Sequence, residues 1–147
     1  MDRSEFEKLR DLPDKEIIQD IRLEKIDKLR PLLTASNIKI ENSLGHALKM
    51  NLNYNEETNS KTINISIQSE GPICRLDVDG QNHNQQGRSH KHSLSTPRCP
   101  DNNLPDAISR KDLSGKPFDK IFKIFCREAN IVVKGKVELD YPKENKV

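Results

Sequence analysis

The chain has 147 residues, the length of one domain. Only 33% of them are apolar and 33% are charged, with no tryptophan and four phenylalanines, which excludes a large aromatic core and leaves packing to Ile, Leu and Val. A formal charge of +2 argues against a strong nonspecific nucleic-acid binder, and three cysteines without CxxC spacing exclude a cysteine-pair zinc or redox motif.

Met1 is followed by charged residues, and no apolar run is long enough for a signal or a membrane span. A cytoplasmic protein with reduced thiols and no membrane partner is expected. Residues 1–31 read as a helical segment. Ser4-Glu5-Phe6-Glu7 has capping-box spacing for a short helix. After the Leu12-Pro13-Asp14 turn, Asp14 caps a longer helix with Ile17, Ile18, Ile21, Ile26 and Leu29 on one broad face, ended by Pro31.

The period then changes to two. Ile38-Lys39-Ile40 reads as a short strand. His46, Leu48, Met50, Leu52 and Tyr54 alternate with Ala47, Lys49, Asn51 and Asn53. Beyond a polar link, Ile63, Ile65 and Ile67 alternate in the same way, which predicts an antiparallel hairpin. In the run from Ile73 to Asp79, Cys74, Leu76 and Val78 share one face while Arg75, Asp77 and Asp79 share the other. Asp79-Gly80 starts a turn, and a short strand through His90–Leu94 returns beside it. Residues 95–116 are proline-rich and irregular, with one helical turn near Asp106–Arg110. Pro117 opens a helix whose stripe is Phe118, Ile121, Phe122, Phe125 and Ala129. Val133, Val137, Leu139 and Tyr141 keep the even spacing of a last strand. The sum is a single α+β domain over 1–147: a helical segment at 1–31, then a sheet-plus-helix core at 37–141, with a mainly antiparallel sheet and a C-terminal helix packed on one face.

Three of the four histidines, His83, His90 and His92, fall between Leu76 and Leu94, together with Asp77, Asp79, Arg88 and Lys91. Three chemistries are open. The first is metal-independent RNA cleavage, with two imidazoles as general base and general acid, Arg75, Arg88 or Lys91 on the phosphate, and Asp77 orienting one ring. The second is a zinc site at the histidine cluster, from His90 and His92 with His83 or Asp77, which the neighbouring Arg88 and Lys91 disfavour. The third is a hydrogen-bonded or recognition surface without catalysis. His46 reads as a satisfied core or edge histidine, Cys126 as packing and Cys99 as a thiol of the irregular loop.

The ordered set "RLDVDG", then His83-Asn84, then "GRSHKH", then the proline-rich segment and "FDKIFKIFCREANI" resembles an uncharacterised family of small bacterial and prophage-encoded proteins. More remotely it is similar to the TumE-type toxins of toxin–antitoxin modules. The resemblance covers mainly Ile73 to Ile131 and implies a protein of mobile elements or conflict loci. The expectation it supports is a toxin-like endoribonuclease without a cofactor, using His90, His92, His83 and Asp77, with Arg75, Arg88 and Lys91 on the substrate. RNA and a cognate antitoxin would be its partners. The alternative is a non-catalytic phage anti-defence protein, an anti-CRISPR-like inhibitor of a protein or ribonucleoprotein complex.

Overall fold

A computed structural model describes residues 3–68, 71–79, 90–92, 108–109 and 111–139. The first helix, α1 (Arg3–Asp11), includes Ser4 in its first turn and not at its cap, and it buries Phe6 and Leu9. Its C-terminal end is closed by a side chain from the following segment. Lys15, only 4% exposed, donates from Nζ to the carbonyl oxygens of Leu9 (2.7 Å), Arg10 (2.9 Å) and Leu12 (2.7 Å). These are carbonyls that a helix end leaves without partners, and the negative end of the helix dipole favours a cation there.

The longer helix expected after Asp14 does not form. Residues 14–31 hold three short strands instead: β1 (Lys15–Ile17), β2 (Ile21–Arg22) and β3 (Glu24–Lys25). Lys15, Ile17, Ile21 and Leu23 are buried, whereas Ile18, Ile26 and Leu29 are 58%, 78% and 94% exposed. Three of the five residues of the supposed helical face therefore point to solvent. Ile17 and Ile21 satisfy a period of two as well as 3.6, β-branching favours the strand, and partners far along the chain decide it.

Those partners are β10 (Ile131–Val133) and β11 (Val137–Glu138), which pair in parallel with β1 and β2 respectively. The two backbones cross closely between the pairs. Lys134 N donates to Ile17 O at 2.8 Å and Ile21 N to Lys136 O at 2.7 Å, while the Asp20 carboxylate accepts from Lys136 N at 2.8 Å. Gly135 sits at the crossing, with no room for a side chain against the Gln19 carbonyl.

The main sheet has seven antiparallel strands among the described residues, in the order β3-β4-β5-β6-β7-β8-β9. After β3 these are β4 (Leu32–Ile40), β5 (Leu48–Asn55), β6 (Lys61–Ile67), β7 (Gly71–Val78), β8 (His90–His92) and β9 (Ile108–Ser109). The hairpin of β5 and β6 runs in register from Leu48↔Ile67 to Tyr54↔Lys61, as the alternation predicts. In the stretch given to a helical turn near Asp106–Arg110, residues 108–109 are extended and a short 3-10 turn follows at Lys111–Leu113. Asp106 and Arg110 lie outside the described residues.

The second helix, α2 (Phe118–Glu128), follows Pro117, which stands at the cap with extended backbone and not inside the first turn. Phe118, Ile121, Phe122, Phe125 and Ala129 are all buried, as their stripe requires. Phe118 tilts against Tyr54 of β5 with ring centroids 6.3 Å apart. One apolar cluster joins α1, α2 and the inward row of every strand from β4 to β7. Cys74 and Cys126 are buried inside it, and burial pushes the Cys126 thiol up to about 12. No helix among the described residues is long and apolar enough to cross a membrane.

Candidate functional site

In β7 the residues alternate between the two faces of the sheet. Leu76 and Val78 are buried in the core, while Arg75 is half exposed on the face away from the helices. The register carries this alternation across neighbouring strands. Arg75 pairs with His92 and Asp77 with His90, so these four positions share one face. Cross-strand partners stand about 5 Å apart at Cβ, and His90 and His92 are separated by about 7 Å along β8. The patch spanned by the four positions is thus about one nucleotide across.

Two polar rows cross the sheet through this patch. One runs His92–Arg75–Asn64–Asn51. The other runs Ser109–His90–Asp77–Thr62–Asn53–Thr34–Glu24, across all seven strands. Asp77 is the buried anchor of the site at 6% exposure. Its Oδ1 accepts from Arg75 Nε at 3.0 Å and from Thr62 Oγ1 at 3.2 Å. With Nε held, the guanidinium is fixed in direction, and its terminal nitrogens are the ones that can meet an anion outside.

Of the expected site residues, the fold brings the positions of Arg75, Asp77, His90 and His92 to one face. Lys91 does not join them. It pairs with Leu76 and Ile108, and so takes the register of the core-facing row. His83 and Arg88 lie outside the described residues, as does Cys99. Among the described residues, no three His, Cys, Asp or Glu side chains are gathered to hold a metal. His46 belongs to the turn before β5, where its backbone N–H and carbonyl both bond the Asn42 side chain.

Asp79 also leaves that face. It turns at φ +57°, a left-handed conformation that Asp tolerates, and its carboxylate swings towards the start of α2. It accepts from Ser114 Oγ at 2.5 Å, Gly115 N at 3.0 Å and the buried Lys61 Nζ at 3.3 Å. Burial acts to raise its pKa, but the bonds from Ser114 and Gly115 and the charge of Lys61 outweigh it and hold the carboxyl below its ordinary value. Lys61 Nζ also lies 5.8 Å from the Tyr54 ring centroid. Burial, with the charge of Glu56, raises the Tyr54 hydroxyl pKa. This group clamps the end of β7 to the segment entering α2. Asp79→Asn keeps the backbone conformation and removes the charge. We expect it to cost about 1–2 kcal/mol at pH 7 in denaturant unfolding, a loss that shrinks as the pH falls through the depressed carboxyl pKa.

The residues that sequence reasoning did not assign to the site are Thr62, Asn64 and Asn53, the neighbours of Arg75 and Asp77 in the two rows. Their signal was present: asparagine at alternating positions of strands that disfavour it.

What fold and site define is an α+β domain with two helices on one face of an antiparallel sheet and a polar face bearing Arg, Asp and two histidine positions in register. Compared with protein-family models, curated proteins and solved structures, the chain gives no significant match.

Proposed function

We propose that the protein is a toxin-like, metal-independent endoribonuclease. The observation that carries this reading is the register Arg75↔His92 and Asp77↔His90 on the polar face of the sheet. In the reaction, one imidazole removes the proton of a ribose 2′-hydroxyl. The 2′-oxygen attacks phosphorus, the bond to the 5′-oxygen breaks, and the other imidazole protonates that oxygen. The products carry a 2′,3′-cyclic phosphate and a 5′-hydroxyl. Arg75, aimed by Asp77, balances the charge that builds on the phosphoryl oxygens.

The test is cleavage of single-stranded RNA by purified protein in chelator. Arg75→Ala is expected to lower kcat about 100-fold, the usual worth of one charge-stabilising donor. His90→Ala and His92→Ala are expected to abolish turnover without lowering Tm, and the wild-type rate is expected to follow a bell-shaped pH profile. Absence of cleavage with or without added metal removes the reading.

A second reading, the non-catalytic inhibitor of a protein or ribonucleoprotein complex, is favoured by a different observation. Ile26 and Leu29 project from the turn after the edge strand β3, with Leu32 partly exposed beside them. Large apolar side chains left in solvent at a sheet edge suit a protein partner. Its mark is a stable complex lost in Leu29→Asp and indifferent to His92→Ala.

A further inference from the structure

The register of β4 against β5 sets two like charges side by side. Lys39 pairs with Lys49 on the face away from the helices, and like charges directly across two strands repel. A β-bulge puts them there. Ala35 is buried in the core, so an unbroken strand would turn residue 39 to the core as well. One extra residue between Ala35 and Ile38 reverses the alternation, which buries Ile38 and Ile40 and turns Lys39 outward. Asn37 takes the left-handed conformation at the bulge, φ +57°, and its N–H donates to Asn51 Oδ1 at 2.9 Å. The Lys39 side chain is 69% exposed, and Glu41 Oε1 lies 3.5 Å from its Nζ, an exposed pair that holds it weakly. Lys49 has no carboxylate partner among the described residues. In a chain with 23 acidic residues, the ground between this pair and Arg75 holds none: Asn51, Asn64 and Ser66 occupy the outward positions there.

We propose that Lys39 and Lys49 form a second phosphate-binding subsite for single-stranded RNA, gripping the backbone at a distance from the phosphate bound at Arg75. This rests on the ribonuclease reading. Arg75 and Lys49 stand two strands and two residues apart, about 12 Å, on the order of two nucleotides of an extended strand. A strand bound at both places crosses the sheet diagonally from β7 to β4. A phosphodiester between the two ammonium groups relieves the repulsion that the bulge imposes. Each lysine is a point charge on a flexible stem, which suits a contact to the backbone that is blind to sequence. The described Phe and Tyr residues are all buried in the core, so this face offers no aromatic ring on which a base could stack.

The test compares a dinucleotide with a hexanucleotide, both 2′-O-methylated and so uncleavable, beside cleavage of a long RNA. Binding is read by NMR titration for the first and by fluorescence anisotropy over a range of salt for the second. The double variant Lys39→Gln/Lys49→Gln is expected to bind the dinucleotide as wild type does and the hexanucleotide roughly 10-fold more weakly in 0.1 M salt. Its slope of log affinity against log salt is expected to shrink by about 1.4, the value for two phosphates of a single strand. Its Tm is expected to stay level or rise, since a repulsion is gone. Lys120→Gln/Lys123→Gln on the exposed side of α2 makes the same change in net charge and is expected to leave the slope unchanged. Equal weakening in both double variants, or none in the first, overturns the subsite; cleavage by wild type then leaves the ribonuclease reading intact. Tighter binding of hexaglutamate than of the hexanucleotide makes the pair a protein-docking site and also overturns it. Hexanucleotide binding that depends on Lys39 and Lys49 without any cleavage supports the subsite and defeats the catalytic reading. Neither cleavage nor oligonucleotide binding overturns both.

Discussion

Gly135→Ala is expected to destabilise the protein by about 4 kcal/mol, at the severe end of single substitutions. The cause is a close approach of two backbones. A methyl group on Gly135 would come within 2.5 Å of the Gln19 carbonyl carbon, closer still to its oxygen, and within 2.9 Å of Asp20 N. Backbone on both sides leaves no flexible side chain to yield. Accommodation means parting the strands and loosening the bonds from Lys134 N to Ile17 O and from Ile21 N to Lys136 O. Thermal unfolding is the measurement, and a fall in Tm of about 10 °C is the expected size. A Tm within a degree or two of wild type would show that the crossing is not tight. Gln19→Ala leaves the backbone carbonyl in place and removes only the exposed bond that Gln19 Oε1 accepts from Lys39 N at 3.0 Å, so this control is expected to cost no more than about 1 kcal/mol.

Lys15→Met is expected to cost about 3 kcal/mol. Methionine fills a similar volume but provides no donor for the Leu9, Arg10 and Leu12 carbonyls. Bonds from a charged donor are worth more than neutral ones, and the carbonyls left behind are partly buried. The pH dependence has a definite sign. Burial, against the smaller opposing effects of Asp11, Asp14 and Cys74, lowers the Lys15 pKa from 10.5 to about 8. Between pH 8 and 10.5 the folded chain has released a proton that the unfolded chain still holds. Stability from this group therefore rises with pH across that window. The gap between wild type and Lys15→Met is expected to be smallest near pH 7 and to widen towards pH 10. Denaturant midpoints of both proteins at three pH values measure it, and a gap that narrows would contradict the account.

These two positions show what could be read from the residues and what could not. The β5–β6 hairpin was legible because Leu48, Met50, Leu52 and Ile63, Ile65, Ile67 are apolar on one side only, and a single period fits them. The stripe of α2 was legible for the same reason. Residues 15–25 were not, because Ile17 and Ile21, four residues apart, fit both periods, and the choice is made by strands that lie far along the chain. The burial of Lys15 was not legible, because nothing local reveals that the helix end before it needs a donor. At the site, the face shared by Arg75 and Asp77 followed from alternation, and pairing of that strand with His90–His92 was anticipated. The separate fate of Lys91 and Asp79 was not drawn out. Lys91 is one residue from each histidine and so falls in the opposite row. Asp79 abandons the strand at a positive φ that only the clamp with Ser114 and Gly115 explains.

The parallel pairing of β1 with β10 and of β2 with β11 has a kinetic consequence. β1 and β2 leave the ribosome long before their partners β10 and β11. A loop spanning most of the polypeptide must close before Ile17 and Ile21 are covered, and long-range closure of that kind slows the final step of folding. During synthesis the segment waits with its isoleucines in water, open to chaperones or to self-association. Maturation of this domain therefore waits for synthesis of β10 and β11, however early the central hairpin forms.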